Sequence, residues 1–388
     1  MRTQLAEQFG IDYPIFGFTP SQEVAAAISR AGGLGVLGCV RFNDAGELDE
    51  VLEWMHENTD GKPFGVDVVM PAKIPTEGSK VDLDSMIPPE HRAFVERTLS
   101  ELGVPPLADD AGVNTGVLGW LHSVARSHVD VAMEHTRKYG QIKLIANALG
   151  SPPDDVIAVA HENGVKVAAL AGTSEHARSH VGAGVDIVIA QGYEGGGHTG
   201  DVASMVLWPE IVDAVGDVPV LAAGGVGDGR QIAAAVALGA QGVWMGTYWL
   251  TAAEYNLGAT GGIGATGDGP STVQQALLKA SSRDTVRRRI YSGKPARLLK
   301  TRWTDAWDAP GAPDPLPMPL QNLPVGEAHA RISAADDPEV VAIPAGQIVG
   351  RCNAIVPVAE LIDGLVAGYD DAVERMSRTV VARPTAAG

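Results

Sequence analysis

The stretch "VPVLAAGGVGDGRQIAAAVALGAQGVWMGTYWL" (218–250) contains two short apolar runs, each ending in glycine, on either side of an Ala-rich segment. The first run, 218–223, predicts a buried strand, and the second, 242–246, predicts another. The segment between them, 229–239, has the apolar spacing of a helix. A strand, a helix and a further strand in this order are typical of a parallel α/β sheet.

The same unit recurs toward the N-terminus. Short Val- and Ile-rich runs alternate with amphipathic, Ala-rich segments, and strict alternation favours a parallel sheet. Eight such units over about 250 residues favour a (β/α)8 TIM barrel rather than an open sheet. The predicted strands are 13–18, 33–40, 62–70, 142–148, 165–170, 185–191, 218–223 and 242–246.

Two segments do not fit the repeat. Residues 71–113 are irregular and contain prolines, which predicts an insertion after the third strand that is partly helical around 89–102. Residues 305–319 are acidic and Pro-rich, as in a linker or a wrapping segment, and mainly helical sequence follows. We therefore expect a barrel domain over 1–290 and a C-terminal wrap and helical extension over 291–388, packed on the barrel.

The chain of 388 residues is strongly acidic, with a formal net charge of −18. Repulsion of phosphates argues against nucleic acids and anionic membranes as main partners, although backbone N–H groups could still hold one phosphate. The two cysteines, Cys39 and Cys352, have no metal-ligand spacing, so neither a metal site nor a disulfide framework is predicted, and Cys39 is expected to be a buried thiol. The N-terminus lacks an apolar signal core and no apolar run is long enough to span a membrane, so we expect a cytoplasmic protein.

Two glycine-containing strand ends predict a phosphate site. In TIM barrels the loops after the seventh and eighth strands form the usual phosphate cradle. Gly224 and Gly225 follow the seventh predicted strand, and Gly246 and Thr247 follow the eighth. Small residues leave backbone N–H groups unobstructed, and the helix that begins near Gly229 adds a partial positive charge. The alternative explanation is tight packing between helix and strand, which also favours glycine.

The run "AQGYEGGGHTG" (190–200) follows the sixth predicted strand and surrounds His198 with five glycines. Glycine lets the backbone approach a ligand closely, and ligands bind at the carboxyl ends of strands in α/β folds. His198 is therefore the candidate catalytic residue; the alternative is a Gly-rich surface turn that happens to contain a histidine. Glu194 would fix the loop or orient His198, or else it is a solvated charge.

Together these stretches resemble the nitronate monooxygenase family, formerly called 2-nitropropane dioxygenases. The segments "YSGKPARLL" (291–299) and "PAGQIVG" (344–350) resemble later blocks of the same family, so the resemblance covers roughly residues 4–370. It implies a TIM barrel that binds FMN, with the phosphate in the predicted cradle, and that oxidises alkyl nitronates or nitroalkanes with O2. It also implies that His198 lies beside the flavin as the catalytic base.

Two alternatives stay open. Flavin-dependent enoyl-acyl-carrier-protein reductases have the same histidine loop and barrel, which would make the substrate an acyl thioester and the reductant NAD(P)H. The sequence shows no separate dinucleotide fingerprint, which favours O2 mildly. A regulator that binds FMN without turnover is the non-enzyme alternative. The sequence does not decide between a monomer and a homodimer.

Further positions are expected around the flavin. Gln191 has both a donor and an acceptor for the pyrimidine edge of the ring. Phe18 and Thr19 stand where the family often has a Met-containing stretch, and Asp67 stands where an Asn is common. An ionised Asp67 could accept hydrogen bonds but not donate them, which would direct it to the flavin N–H edge. The loop residues expected to border the cofactor are Gly192, Gly196 and Gly197.

Other polar side chains receive no catalytic role from the sequence. His122, His128 and His135 are expected to be exposed on or near a helix. The basic run 287–289 is expected on a solvated helix face, with recognition of an anionic substrate tail such as coenzyme A as the alternative.

Overall fold

The computed structural model describes residues 1–70, 83–107, 122–257 and 269–379. Its strands are β1 (Ile15–Thr19), β2 (Leu34–Gly38), β3 (Phe64–Val68), β4 (Ile142–Asn147), β5 (Lys166–Ala171), β6 (Ile187–Gln191), β7 (Gly197–His198), β8 (Val220–Ala223), β9 (Gly242–Met245), β10 (Thr285–Arg288) and β11 (Ala296–Leu299). Its α-helices are α1 (Gln4–Phe9), α2 (Gln22–Arg30), α3 (Ala45–Asn58), α4 (Pro89–Glu101), α5 (His122–Tyr139), α6 (Asp154–Glu162), α7 (Ser174–Gly182), α8 (Ser204–Val215), α9 (Gly229–Ala237), α10 (Thr272–Leu278), α11 (Arg302–Trp307), α12 (Asn322–Ala335) and α13 (Val358–Thr379).

Within the described residues, eight parallel strands form a closed barrel in the order β1, β2, β3, β4, β5, β6, β8, β9. The last of these pairs back with β1, where Gly17 lies opposite Met245. Helices connect the strands along the chain, so the predicted (β/α)8 TIM barrel is confirmed. Each of the eight predicted strands overlaps one strand of this barrel.

The barrel strands are apolar on both faces because one face meets the helices and the other meets the barrel interior. In β3, Phe64, Val66 and Val68 pack in the cluster that includes α3 and α5. Side chains alternate along a strand, so Asp67 projects into the barrel instead. The interior is filled by a separate apolar cluster, whose buried members include Phe16, Leu34, Val36, Leu144, Ala146, Ala168, Ile187, Ile189, Leu221, Ala223 and Trp244.

A second, antiparallel sheet lies beside the barrel and was not predicted. Its order is β10, β11, β7, and His198 in β7 lies opposite Ala296 in β11. The expected helix around 287–289 is wrong, because Arg287 and Arg288 belong to β10. Their conformation is decided by backbone pairing with β11, a contact that local propensity does not encode.

The C-terminal extension packs on the barrel through α13, which contacts α9 and α2. Gly229 at the start of α9 makes this approach feasible, because a Cβ there would lie 2.2 Å from the carbonyl oxygen of Leu365 and from the amide nitrogen of Tyr369. None of the described helices is both long enough and apolar enough to cross a membrane.

The predicted insertion is partly described. The helix expected around 89–102 is α4, and it packs against α12 of the C-terminal extension. Residues 71–82 and 108–113 of the insertion lie outside the described residues. The boundary between 1–290 and 291–388 stays a prediction.

Two histidines of α5 are buried, contrary to the exposed positions expected from the sequence. His128 and His135 are only 1% and 3% exposed, because α5 packs against α3. The Nε2 atom of His135 lies 2.8 Å from a carboxylate oxygen of Asp49 on α3, which compensates part of its burial. The side chain of His122 lies outside the described part of the chain. Cys39 is a buried thiol, as expected.

Candidate active site

The carboxyl ends of the barrel strands place several predicted residues around one opening. Gln191 ends β6 and is in register with Ala223 of β8, which in turn lies opposite Trp244 of β9. Phe18 of β1 stacks on Trp244 with 6.0 Å between ring centroids. Asp67 projects inward near the end of β3. The structure therefore brings Phe18, Asp67 and Gln191 to the same mouth of the barrel.

The loop after β8 presents backbone donors. Gly224 and Gly225 have φ angles of 93° and 74°, in the left-handed region that favours glycine. Within the described residues, no acceptor is hydrogen-bonded to the N–H groups of these two glycines or of Gly246 and Thr247 after β9. The three glycines are also partly exposed. Two neighbouring strand ends thus offer unused N–H groups to an anion, close to the start of α9.

Side chains hold the carbonyl groups of this loop and so fix the direction of its N–H groups. The indole Nε1 of Trp208 donates to the carbonyl oxygen of Ala223 at 3.0 Å, and Ser204 Oγ donates to that of Gly224 at 2.9 Å. In a trans peptide the N–H points away from the carbonyl. The N–H groups of Gly224 and Gly225 are therefore turned away from Trp208 and Ser204.

The segment 344–350 joins the end of β9 to the histidine loop. Gly346 donates its N–H to Thr247 Oγ1 at 2.9 Å. On its other side it is packed against Gly196, where a Cβ would lie 2.8 Å from the Gly346 nitrogen. The "PAGQIVG" motif therefore holds two parts of the predicted site together.

The histidine loop is folded back onto β6 by its own polar side chains. Gln191 Nε2 donates to the carbonyl oxygens of Gly196 and His198 at 3.0 and 3.2 Å. Glu194 accepts the N–H of Ser204 at 3.1 Å, at the start of α8, so its carboxylate fixes the loop. The Nε2 group of Gln191 donates both of its hydrogen bonds to the loop. Its Oε1 atom is therefore the side-chain atom that a ligand could contact.

His198 is held beside the end of β6 by residues that follow the barrel in the chain. Its Nε2 lies 2.6 Å from Oγ of the fully buried Ser292, and its ring meets Tyr291 edge to face at 6.3 Å between centroids. Burial, reinforced by the positive charge of Lys294, lowers the pKa of His198 to about 4. The imidazole is therefore neutral at pH 7, which is the state that a base requires.

Two arginines that hold the loop could not be identified from the sequence. Arg297 of β11 is 3% exposed and donates through Nε and Nη2 to the carbonyl oxygen of Tyr193 at 3.2 and 3.1 Å. Arg287 of β10 donates to the carbonyl oxygen of Thr199 at 2.9 Å. The two guanidinium groups lie 4.6 and 5.4 Å from the centre of the Tyr193 ring. The "YSGKPARLL" motif contains Ser292 and Arg297, but its spacing does not show which loop it contacts.

The first-strand side of the opening is mainly apolar. Thr19 is 1% exposed, and its Oγ1 accepts the N–H of Ser21 at 3.1 Å, just before α2. The hydroxyl of Thr19 therefore serves the helix start, and Phe18 offers the larger surface to a ligand.

Asp67 is 3% exposed, and its carboxyl has no hydrogen-bond partner among the described residues. Burial raises its pKa well above the usual range of a carboxyl. The neighbouring thiol of Cys39 is buried too, and burial likewise raises its pKa. Burial therefore disfavours the ionised form of Asp67, the form expected from the sequence.

Comparison with known proteins places this arrangement in a family. The family model for nitronate monooxygenases matches residues 2–368, almost the whole chain. The chain belongs to the nitronate monooxygenase family. Membership of this family makes the protein an oxidoreductase and implies a flavin cofactor.

Individual members of the nitronate monooxygenase family agree with this assignment. The Mycobacterium tuberculosis protein Rv1533, named as a monooxygenase, is 44% identical over 98% of this chain and 100% of its own length. A Staphylococcus aureus protein (strain JH9) named as a nitronate monooxygenase is 27% identical, over 78% of this chain and 80% of its own.

Solved structures share the architecture along nearly the whole chain. The nitroalkane oxidase of Streptomyces ansochromogenes is 26% identical with a TM-score of 0.73, over 96% of this chain and 99% of its own. FabK from Thermotoga maritima is 27% identical with a TM-score of 0.71, over 98% of this chain and 100% of its own.

The residues at the barrel mouth fit a flavin that carries a phosphate. The unused N–H groups at the ends of β8 and β9 suit the phosphate. The Phe18 ring, the Asp67 carboxyl and Gln191 Oε1 provide one apolar surface and two polar groups for a heteroaromatic ring. Among the described residues, no group of three or more His, Cys, Asp or Glu side chains could hold a metal ion.

Proposed function

We propose that this member of the family is an FMN-dependent oxidoreductase that oxidises alkyl nitronates or nitroalkanes with O2, and that His198 is its base. The observation that carries the proposal is the neutral imidazole of His198, held 2.6 Å from Ser292 Oγ beside strand ends that carry unused N–H groups. The candidate base and the candidate phosphate site lie at the same end of the barrel. This arrangement would allow a substrate to lose a proton beside a bound cofactor that carries a phosphate.

His198 would remove the proton from the carbon next to the nitro group. That carbon is acidic because the nitro group takes up the electron pair, and a neutral imidazole can accept the proton. The lowered pKa of His198 keeps the base unprotonated at pH 7, but it also means that the imidazolium would hold the proton only transiently. The Ser292 hydroxyl can donate or accept, so it keeps the ring in place in either tautomer. Bound FMN would supply the electron acceptor that no side chain provides.

The FMN would lie across the barrel mouth, held by this chain's own groups. Its phosphate would take the N–H groups of Gly224, Gly225, Gly246 and Thr247. The ring would contact the following residues: Phe18, Thr19, Asp67, Gln191, Gly192, Gly196 and Gly197. Of the loop glycines, Gly192 and Gly196 also allow tight packing, since a Cβ on either would collide with neighbouring residues.

Anaerobic stopped-flow reduction of the purified flavoprotein tests the proposal. The FMN absorbance should bleach rapidly with the nitronate of 2-nitropropane, and much more slowly with NADH or NADPH. A second candidate, NAD(P)H-dependent reduction of an acyl thioester, is kept because the histidine loop also resembles that of the enoyl-acyl-carrier-protein reductases. Rapid bleaching by NAD(P)H alone would favour that candidate, and a protein that takes up no FMN would contradict both.

A further inference from the structure

Asp67 occupies an apolar position on the inner face of the barrel. In register it lies between Gly38 of β2 and Ala146 of β4, neither of which has a polar side chain. Its strand neighbours Val66 and Val68 point outward into the helix layer, so the carboxyl faces the interior near the mouth. In the described part of the chain, no side chain or backbone group is hydrogen-bonded to this carboxyl.

Among the residues that the structure describes, none pairs a positive charge with the carboxyl of Asp67. The thiol of Cys39, which is itself buried, interacts with it. Arg41, the cation next to Cys39, donates to Gln22 Oε1 at 2.5 Å and lies 4.2 Å from the centre of the Phe42 ring. A buried carboxyl without a cation or a donor is stable in its neutral form, because burying an unpaired charge costs far more.

We propose that Asp67 is a protonated carboxylic acid at neutral pH and donates its hydrogen to an acceptor atom of the bound flavin. This inference rests on the FMN binding proposed above. A carboxylic acid has one O–H donor and one carbonyl acceptor, so it can match an adjacent N–H and C=O on a ligand as an amide does. A carboxylate would offer acceptors alone and would remain an unpaired charge inside the barrel.

Infrared difference spectroscopy tests the protonation state directly. The spectrum of wild-type protein minus that of Asp67→Asn should contain the C=O stretch of a protonated carboxyl at pH 7, shifted by exchange into D2O. The band should move to lower frequency when FMN is added to flavin-free protein. Carboxylate bands in place of this band would overturn the proposal, and a band that FMN leaves unmoved would overturn the donation to the flavin.

A binding measurement separates this inference from the proposed function. FMN fluorescence titrations should give similar dissociation constants for wild type and Asp67→Asn, since both side chains donate and accept. Asp67→Leu, which keeps the apolar surroundings, should weaken binding by about ten- to a hundredfold, the loss of a buried hydrogen bond. Equal affinity of the Leu variant would contradict the inference. Wild-type protein that binds no FMN would refute the proposed function, while the infrared band would still report the state of Asp67.

Discussion

The position and protonation of His198 depend on neighbours from two places in the chain, the end of β6 and the segment 291–299. Gln191 Nε2 holds its carbonyl oxygen, Ser292 Oγ lies against its ring nitrogen, and Lys294 contributes a positive charge that disfavours imidazolium. Gln191 and Ser292 fix the position of the residue, and Lys294 affects the protonation of its ring. An imidazole whose pKa is about 4 is neutral at the pH where an unperturbed histidine is half protonated.

Replacing His198 by alanine should separate catalysis from cofactor binding. His198→Ala should retain FMN, because the N–H groups of the cradle are untouched, yet lose about 10²–10⁴-fold in turnover of neutral nitroethane. The loss should be smaller with the pre-formed nitronate, whose proton is already gone. Steady-state oxygen consumption with both substrates measures this. The control is His176→Ala, on the exposed side of α7. Wild-type turnover of nitroethane by His198→Ala would show that another group is the base.

At the scale of secondary structure, the barrel was predictable and the second sheet was not. The eight barrel strands are apolar runs bounded by glycine or by helical spacing, so each one carries its own signal. The strands of the second sheet are too short to show a period, and β7 pairs with a segment far along the chain. The same limit applies to the site. The glycines and His198 can be identified from the sequence, whereas the contacts of Ser292 and Arg297 and the burial of Asp67 depend on residues that are distant in the chain.

The contact between β11 and the histidine loop should matter for turnover more than for FMN binding. Arg297→Met keeps the buried stem but removes the two hydrogen bonds to Tyr193, so the loop should lose its fixed position. A misplaced base costs about a hundredfold in rate, and we expect kcat to fall about ten- to a hundredfold with the flavin spectrum unchanged.

The matched control for this variant is Arg288→Met in β10. Arg288 is more exposed and pairs with Asp308 at 2.7 Å, an interaction of the kind that contributes little. Its kcat should remain within about twofold of wild type. Circular dichroism and the FMN content of both variants check that they fold. Equal kcat values for Arg297→Met and Arg288→Met would mean that the arginine of β11 does not position the loop.

At the scale of the whole molecule, a series of rings connects the barrel mouth to the C-terminal extension. Tyr291 meets His198 edge to face and stacks on His329 of α12 at 5.2 Å between centroids. His329 in turn meets Trp303 of α11 at 6.1 Å. Burial lowers the pKa of His329 to about 4, as it does that of His198. Two neutral histidines therefore lie where the extension covers the barrel.

Mild acid should destabilise this junction. Both histidines bind protons near pH 6.5 when the chain is unfolded but near pH 4 when it is folded. Since the unfolded state binds more protons between these values, stability should fall as the pH drops from 6.5 toward 4, by about 1.4 kcal/mol per pH unit for each histidine. Urea unfolding at pH 7, 6, 5 and 4.5 measures the slope. In His329→Gln the dependence of the unfolding free energy on pH should be weaker by the contribution of one histidine. A variant with the same pH dependence as wild type would show that His329 does not have a lowered pKa in the folded protein.

The pairing of β7 with β11 also sets the order in which a newly made chain gains its chemistry. The ribosome releases β9, the last barrel strand, well before Ser292 and β11, and N-terminal parts of a chain fold first. All eight barrel strands are thus made before the serine that lies against the histidine and before Gly346, which bonds Thr247 at the end of β9. If His198 is the base proposed above, its surroundings would be completed only after the barrel strands have left the ribosome, so the catalytic geometry would be the last part of the site to form.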